Sequence, residues 1–83
     1  MIKEENIASD LLKEMFKKRI ISNSYKPIEK IARFFPSHIR GNVKKVIRQL
    51  VSRGILLSFK SGKCISINSK RLQEISEIIG KNL

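Results

Sequence analysis

The chain has 83 residues with a formal net charge of +11 at pH 7, and 41% of its residues are hydrophobic. This length allows one small domain, and the apolar content is too high for a disordered basic tail. The sequence has no apolar run near the ~20 residues of a membrane-spanning helix. It also lacks the apolar N-terminal stretch typical of a signal peptide. Its single cysteine cannot form an internal disulfide. We therefore expect one domain over residues 1–83, with no membrane contact, in the cytoplasm, or on the nucleoid if the source is prokaryotic.

The positive charge is concentrated in the middle of the chain. Residues 30–73 contain 11 of the 18 lysines and arginines and no aspartate or glutamate. Unneutralised charge of this density weakens folding through self-repulsion, and a polyanionic partner is the usual compensation. A basic face that only keeps a small protein soluble is the plainer alternative, but solubility does not require the exclusion of every acid from so long a segment. Nucleic acid is therefore the leading candidate partner.

A first helix is predicted over residues 7–20. Its apolar residues recur at three- and four-residue spacing and share one stripe; they are Ile7, Leu11, Leu12, Met15, Phe16 and Ile20. Asn6 is a candidate N-cap, and residues 17–19 are basic, as the helix dipole favours near a C-terminus. Turn-favouring residues at 22–25 then end the periodic pattern.

Two further helices are predicted before a hairpin. Pro27 suits the first position of a helix over residues 27–35, which Pro36 ends. Ser37 is a candidate cap for a helix over residues 38–53, whose inward face is aliphatic and which stops before a glycine. The short connection between the two helices indicates a helix-turn-helix.

After the third helix the apolar period changes from 3.6 to 2, which predicts a hairpin over residues 55–68 around a turn at Ser61-Gly62. This turn fixes the register, in which Leu56 faces Ile67, Leu57 faces Ser66, Ser58 faces Ile65, Phe59 faces Cys64 and Lys60 faces Lys63. Like charges directly opposite each other are destabilising, so a bound anion would relieve the repulsion between Lys60 and Lys63.

A last helix is predicted over residues 70–79, with Ser69 as a candidate cap. The order of helix, short extended segment, helix, helix, hairpin and helix resembles a winged helix-turn-helix domain; residues 27–68 carry the resemblance, above all the segment IRQLVSRGIL that joins the third helix to the hairpin. The resemblance implies an α+β, mainly α fold with a three-helix core, a two-stranded β-hairpin wing and a C-terminal helix. It also implies that the third helix enters the DNA major groove, that the wing lies on the backbone, and that the terminal helices can form a homodimer.

The outer face of the third helix, opposite Val43, supplies candidate contacts to double-stranded DNA. Asparagine and glutamine can pair with adenine, while lysine, arginine and histidine can donate to guanine or to phosphates. Because the N-terminal part of a recognition helix usually meets base edges, we expect base contacts from His38, Asn42, Lys45 and Gln49. Backbone contacts are expected from Ser37, Arg40, Lys44, Arg48, Arg53, Lys60, Ser61 and Lys63.

Enzymatic chemistry is not predicted. His38 is the only histidine and Cys64 the only cysteine, so neither has the companions that a metal site normally needs. Cys64 is interpreted as a small apolar residue of a strand. The sequence has no glycine-rich phosphate loop and no nucleophile with a plausible base. We therefore expect no catalytic site, metal, cofactor or small-molecule ligand.

Some other residues have structural explanations beside functional ones. The pairs Glu14–Lys18 and Glu77–Lys81 have the spacing of stabilising helix ion pairs, which we favour over a catalytic carboxylate pair. Phe34, Phe35 and Phe59 can stack on bases or pack in a core; packing is expected for Phe35, and both alternatives stay open for the other two.

The leading interpretation is a DNA-binding winged-helix protein that acts as a small transcriptional regulator. One alternative is an RNA- or ribonucleoprotein-binding domain that uses the same basic surface. Another is a winged-helix subunit that binds proteins within a larger complex. The sequence leaves all three open, because charge attraction to a phosphate backbone does not by itself specify the partner.

Overall fold

The computed structural model describes residues 4–80. Over this range the chain is an α+β structure of four α-helices and a three-stranded antiparallel sheet. The helices are α1 (Glu4–Lys17), α2 (Ile28–Ala32), α3 (Arg40–Ser52) and α4 (Leu72–Gly80), the strands are β1 (Lys26–Pro27), β2 (Leu56–Phe59) and β3 (Cys64–Ile67), and 3-10 turns at Ser37–Ile39 and Ser69–Arg71 precede α3 and α4. Within residues 4–80 there is no helix long and apolar enough to cross a membrane.

The hairpin of β2 and β3 confirms the predicted strand register. Leu56 lies opposite Ile67 at one end of the pair, and Phe59 lies opposite Cys64 at the other. The two-residue turn therefore sets the strand pairing as expected. All four residues of β3 are buried, which suits its central position in the sheet.

The hairpin turn has a left-handed backbone. Lys60, Ser61 and Gly62 have φ angles of 54°, 56° and 85°. Positive values at the two central positions, 61 and 62, are typical of a type I′ turn, and here the left-handed region also includes Lys60. The Lys63 N–H donates to the Lys60 carbonyl oxygen at 3.2 Å and closes the turn. The two lysines thus flank the tip of the hairpin.

β1 is a third strand that the predicted two-stranded hairpin did not contain. Lys26 pairs with Ile65 and Pro27 with Cys64, so that β3 lies at the centre of the sheet. The Ile28 N–H continues this pairing by donating to the Lys63 carbonyl oxygen at 2.9 Å. A proline without an N–H group suits an edge strand. Two residues are too few to show the alternation from which a strand is predicted.

The core lies between α1, α3, α4 and the sheet. The apolar stripe predicted for the first helix is buried, and its innermost members are at most 1% exposed: Ile7, Leu11, Leu12, Met15 and Ile20. The other elements contribute Val43, Val46, Ile47 and Leu50 from α3, Leu56, Ile65 and Ile67 from the sheet, and Ile75 from α4. α1 therefore packs against α3, α4 and β3 in a single apolar cluster.

The first helix is displaced from its predicted range. It begins at Glu4, so Asn6 lies inside it and does not cap it. It ends at Lys17, because Arg19 adopts a φ of 57° in the left-handed region. The Ile20 N–H donates to the Met15 carbonyl oxygen at 2.9 Å across this turn. Ile20 is buried after the chain has left the helix, which explains why its spacing suggested a longer one.

The second helix is shorter than predicted. Pro27 is extended, with φ −60° and ψ 139°, and belongs to β1 instead of the helix. The helix ends at Ala32, and Phe34 and Phe35 lie in the turns that follow it. Phe35 is nevertheless 8% exposed and belongs to the core, as expected from its apolar spacing.

The predicted serine caps are wrong. Ser37 makes no capping hydrogen bond, because a 3-10 turn precedes α3 and moves its start beyond residue 38. A second 3-10 turn moves the start of α4 beyond residue 70. This turn is capped by Asn68 instead of Ser69, since the Asn68 Oδ1 accepts from the Lys70 N–H at 3.0 Å.

Gly54 ends α3 as predicted, and it has a φ of 79°. The Asn68 Nδ2 donates to the Gly54 carbonyl oxygen at 2.8 Å. A Cβ atom at residue 54 would lie 3.4 Å from Nη2 of Arg71. Glycine is favoured here because it alone adopts positive φ without steric cost. This junction fixes the end of α3 against the segment between β3 and α4.

The buried serine of α1 provides a test of the packing. Ser9 is fully buried, and its hydroxyl has no hydrogen-bond partner among the described residues. Ser9→Ala should therefore raise the free energy of unfolding by about 1 kcal/mol or more, because it removes an unsatisfied polar group and favours the helix. The melting temperature should rise by roughly 4–8 °C for each kcal/mol in a domain of this size.

The matched control for that substitution is Ser76→Ala, in the exposed position of another helix, α4. It changes helix propensity alone. Equal melting temperatures for the two variants in calorimetry would show that the Ser9 hydroxyl is already satisfied.

Candidate nucleic-acid interface

The outer face of α3 is exposed and basic. Burial of its aliphatic side against the core turns Asn42, Lys45, Arg48 and Gln49 to solvent. This confirms the face predicted from the 3.6-residue period, and α3 contains no acidic residue. A helix of 13 residues is about 20 Å long. The predicted contacts are therefore spread along several turns of one surface.

His38 is placed differently from the other predicted base contacts. It lies in the 3-10 turn before α3, not on the helix itself, although its side chain is exposed. Ser37 is exposed in the same turn, and Arg53 is exposed at the opposite end of α3. The sequence therefore located these residues on the surface but gave an incorrect helical position to His38.

Arg40 has a structural contact that its predicted role did not include. Its Nε donates to the Phe35 carbonyl oxygen at 3.2 Å, and the side chain is partly buried. This bond links the start of α3 to the end of the turn after α2. Arg40 therefore joins these two elements through one N–H of its guanidinium group, in addition to any contact that the other N–H groups make.

Lys44 forms an ion pair with Glu29 across the α2–α3 connection. The Lys44 Nζ lies 2.8 Å from the Glu29 Oε1, and the side chains are 38% and 74% exposed. The hydrogen bond from Lys44 and the charge of its ammonium group hold the pKa of Glu29 below its ordinary value of 4.5. Glu29 is the only acidic residue between positions 26 and 71. The sequence placed Lys44 among the phosphate contacts and did not predict this partner.

The tip of the hairpin is basic and exposed. Lys60, Ser61 and Lys63 are all exposed there, as their predicted role requires. Beside the tip, the rings of Phe59 and Tyr25 are stacked with centroids 4.6 Å apart and an interplanar angle of 18°. One face of Phe59 is therefore already covered by another ring. This favours its structural explanation over base stacking.

Phe34 also has an intramolecular partner. Its ring is 38% exposed, and the Lys18 Nζ lies 4.8 Å from the ring centroid in a cation–π contact. The same lysine pairs with Glu14 at 3.8 Å, as predicted from their spacing. The predicted Glu77–Lys81 pair involves a residue outside the described range.

An open cleft of about 580 Å³ lies between the start of α2, the outer face of α3 and the hairpin turn. We call it the basic cleft. It is lined by Pro27, Ile28, Glu29, Lys44, Arg48, Gly62 and Lys63. Three cations and one carboxylate thus surround it, and the cleft joins the two surfaces that were predicted separately, α3 and the hairpin. No local sequence signal brings these segments together. Pro27 is held beside the hairpin by the pairing of β1 with β3, and Glu29 reaches α3 through its contact with Lys44.

A second, smaller cleft is apolar and lies between α1 and α4. Its volume is about 290 Å³, and Phe16, Leu72, Ile75 and Ile79 contribute to its walls. Leu72 is 48% exposed. The homodimer predicted to form through the terminal helices would use this region. It stays a prediction, and sedimentation at micromolar concentration tests it.

Metal-binding groups are not assembled in the described part of the chain. Among residues 6–80, whose side chains the structure describes, there is no cluster of three or more His, Cys, Asp or Glu side chains that could hold an ion. Cys64 is a free thiol, buried in the central strand.

The chain matches no protein-family model, no curated protein and no solved structure. The exposed basic surface is therefore the feature of the molecule that indicates a function.

The ion pair predicts a measurable titration. Lys44→Gln should raise the pKa of Glu29 towards its ordinary value, because the substitution removes the charged ammonium group whose hydrogen bond and positive charge lower it. Carboxyl chemical shifts measured by NMR against pH report this pKa directly. Since the folded-state pKa is the lower one, the pair stabilises the fold above the unfolded pKa of glutamate, and this contribution is lost as pH falls through the folded-state pKa.

Arg48→Gln is the control for that titration, because it removes another cation from the same cleft without touching the hydrogen bond. An equal rise in the pKa of Glu29 in both variants would mean that general charge, not the Lys44 contact, lowers it.

Proposed function

We propose that this protein is a DNA-binding winged-helix protein that acts as a small transcriptional regulator. The observation that carries the proposal is the acid-free outer face of α3, exposed beside a hairpin whose tip carries two lysines. In this proposal α3 is the recognition helix, and the hairpin of β2 and β3 is the wing. The four helices and the antiparallel sheet are compatible with that architecture.

The dimensions and residue types of α3 support insertion into the major groove. The groove is about 12 Å wide and admits one α-helix. Asn42 and Gln49 carry amides that can make paired hydrogen bonds to adenine, and Lys45 can donate to the guanine acceptors. His38, just before the helix, can reach base edges or the backbone at the N-terminal end.

The basic residues around α3 supply sequence-independent attraction. Arg48 lies on the helix and faces the basic cleft, while Lys60 and Lys63 lie on the wing. Phosphate groups between the wing and α3 would also relieve the repulsion between the two wing lysines. Neutralised phosphates release counterions, so affinity should depend steeply on salt.

The primary test is binding to duplex DNA over a range of salt concentrations. If the protein neutralises ~6 phosphates, log affinity should fall with log salt at a slope near −5. Fluorescence anisotropy measures both quantities. An absence of duplex binding even at low salt would end the proposal and favour a protein-interaction role, in which an acidic partner would copurify.

The same titration includes structured RNA at matched salt. Basic winged helices can bind the backbone of a double helix without contacting its bases. A several-fold higher affinity for RNA than for duplex DNA would therefore make RNA, not DNA, the proposed partner.

The division between base and backbone contacts predicts two kinds of variant. After selection of bound fragments from a random duplex pool, Asn42→Ala or Lys45→Ala should relax discrimination among sequences, by about 1–3 kcal/mol at the base pair affected. Lys63→Ala should weaken binding to all sequences alike and reduce the salt slope by about one.

Lys13→Ala on α1 is the matched control, since it removes the same charge outside the acid-free segment and should change neither property. Equal losses on all sequences for the α3 and wing variants would contradict base reading by α3.

A further inference from the structure

We propose that Glu29 is a specificity-determining residue that competes with DNA phosphates for Lys44 in the basic cleft. This inference rests on the proposed function and deepens it. Glu29 holds the lysine while the cleft is empty, and only a correctly placed phosphate takes the lysine over.

The ion pair has the geometry of an exchangeable contact. Lys44 Nζ and Glu29 Oε1 are 2.8 Å apart, yet most of the glutamate side chain is exposed. Exposed ion pairs are individually weak, because water solvates both partners. A phosphate that enters the cleft can therefore replace the carboxylate as the partner of Lys44 without disturbing the core.

The other two cations of the cleft differ from Lys44 in their contacts. The side chains of Arg48 and Lys63 make no hydrogen bond or ion pair with any described residue, whereas Lys44 is already engaged. An approaching phosphate can thus bind Arg48 and Lys63 directly. It can bind Lys44 only if it displaces Glu29. Pro27 and Ile28 also line the cleft and carry no charge.

Glu29 therefore acts differently on well-placed and badly placed DNA. Where base contacts along α3 fix the register, a phosphate is held in the cleft and draws Lys44 away from the carboxylate. Where they do not, phosphates pass near a carboxylate that repels them. Since phosphate contacts position a protein without reading sequence, this repulsion lowers non-specific affinity more than specific affinity.

The decisive experiment compares Glu29→Gln with Glu74→Gln. Each variant gains one unit of positive charge and loses one exposed ion pair, because Glu74 pairs with Nη1 of Arg71 at 2.6 Å. Glu74 lies on α4 and does not line the basic cleft. Affinity for a random-sequence duplex and for a selected duplex is measured by anisotropy over a range of salt concentrations.

Glu29→Gln should bind the random duplex several-fold more tightly, with a salt slope steeper by about 0.9, which corresponds to one further phosphate contact. Its preference for the selected duplex should fall several-fold. Glu74→Gln should leave the slope and the preference close to those of the unaltered protein. In a Lys44→Gln background, Glu29→Gln should no longer change the slope, because no cation is left to release.

Three results would contradict the proposed exchange of Glu29 for a phosphate as the partner of Lys44. Equal behaviour of the two glutamine variants would mean that net charge alone acts. Weaker binding of Glu29→Gln to every duplex, with a lowered melting temperature, would assign the ion pair a structural role. Weaker binding only to duplexes with a particular base pair would make Glu29 a base-reading residue, since carboxylates accept from the amino group of cytosine.

Failure of the proposed function has a different signature. In that case the unaltered protein binds neither duplex at low salt, and the inference falls with it. If the unaltered protein binds with a steep salt slope, and Glu29→Gln and Glu74→Gln have the same slope and the same preference, only the proposed role of Glu29 fails.

Discussion

Burial of the aliphatic side of α3 is the constraint on which the rest of the molecule depends. Val43, Val46, Ile47 and Leu50 are at most 2% exposed. A chain of this size has few apolar surfaces with which to build a core, so this face cannot be released to solvent. Because side chains on a helix repeat every 3.6 residues, fixing one face inward fixes the opposite face outward. The exposed basic surface is thus a geometric consequence of the core.

The fold also separates the charges. Three acids described with side-chain partners, Glu14, Glu29 and Glu74, each pair with a nearby cation. Two of them lie on α1 and α4, away from the basic cleft, and their pairs are local in sequence. Glu29 alone enters the basic surface, where its neighbours are cations. A surface of this composition repels itself in the free protein, and a polyanion removes the repulsion.

Much of the fold could be predicted because its causes are local. The stripe of α1 follows from residues three and four apart, and the register of β2 and β3 follows from a two-residue turn at Ser61-Gly62. The helix ends were predicted less well. Asn6, Ser37 and Ser69 are suitable caps by residue type, but the 3-10 turns before α3 and α4 and the left-handed Arg19 place the ends elsewhere. Residue type shows that a cap is allowed, whereas the position of the helix end also depends on tertiary packing, as at Ile20, which is buried just after α1 has ended.

The sequence by itself determined which face of α3 is polar, where the hairpin turns, and that positive charge is concentrated between the terminal helices. Periodicity and turn chemistry act over a few residues, so these features can be read without the fold. Only the tertiary structure decided that β1 joins the sheet, that Arg40 is bonded to the turn after α2, and that Lys44 is paired with Glu29. These contacts join residues whose separation along the chain carries no periodic signal, and they form because packing of the core brings α2, α3 and the hairpin together. The candidate surface was therefore predictable as a set of residues, and the cleft within it was not.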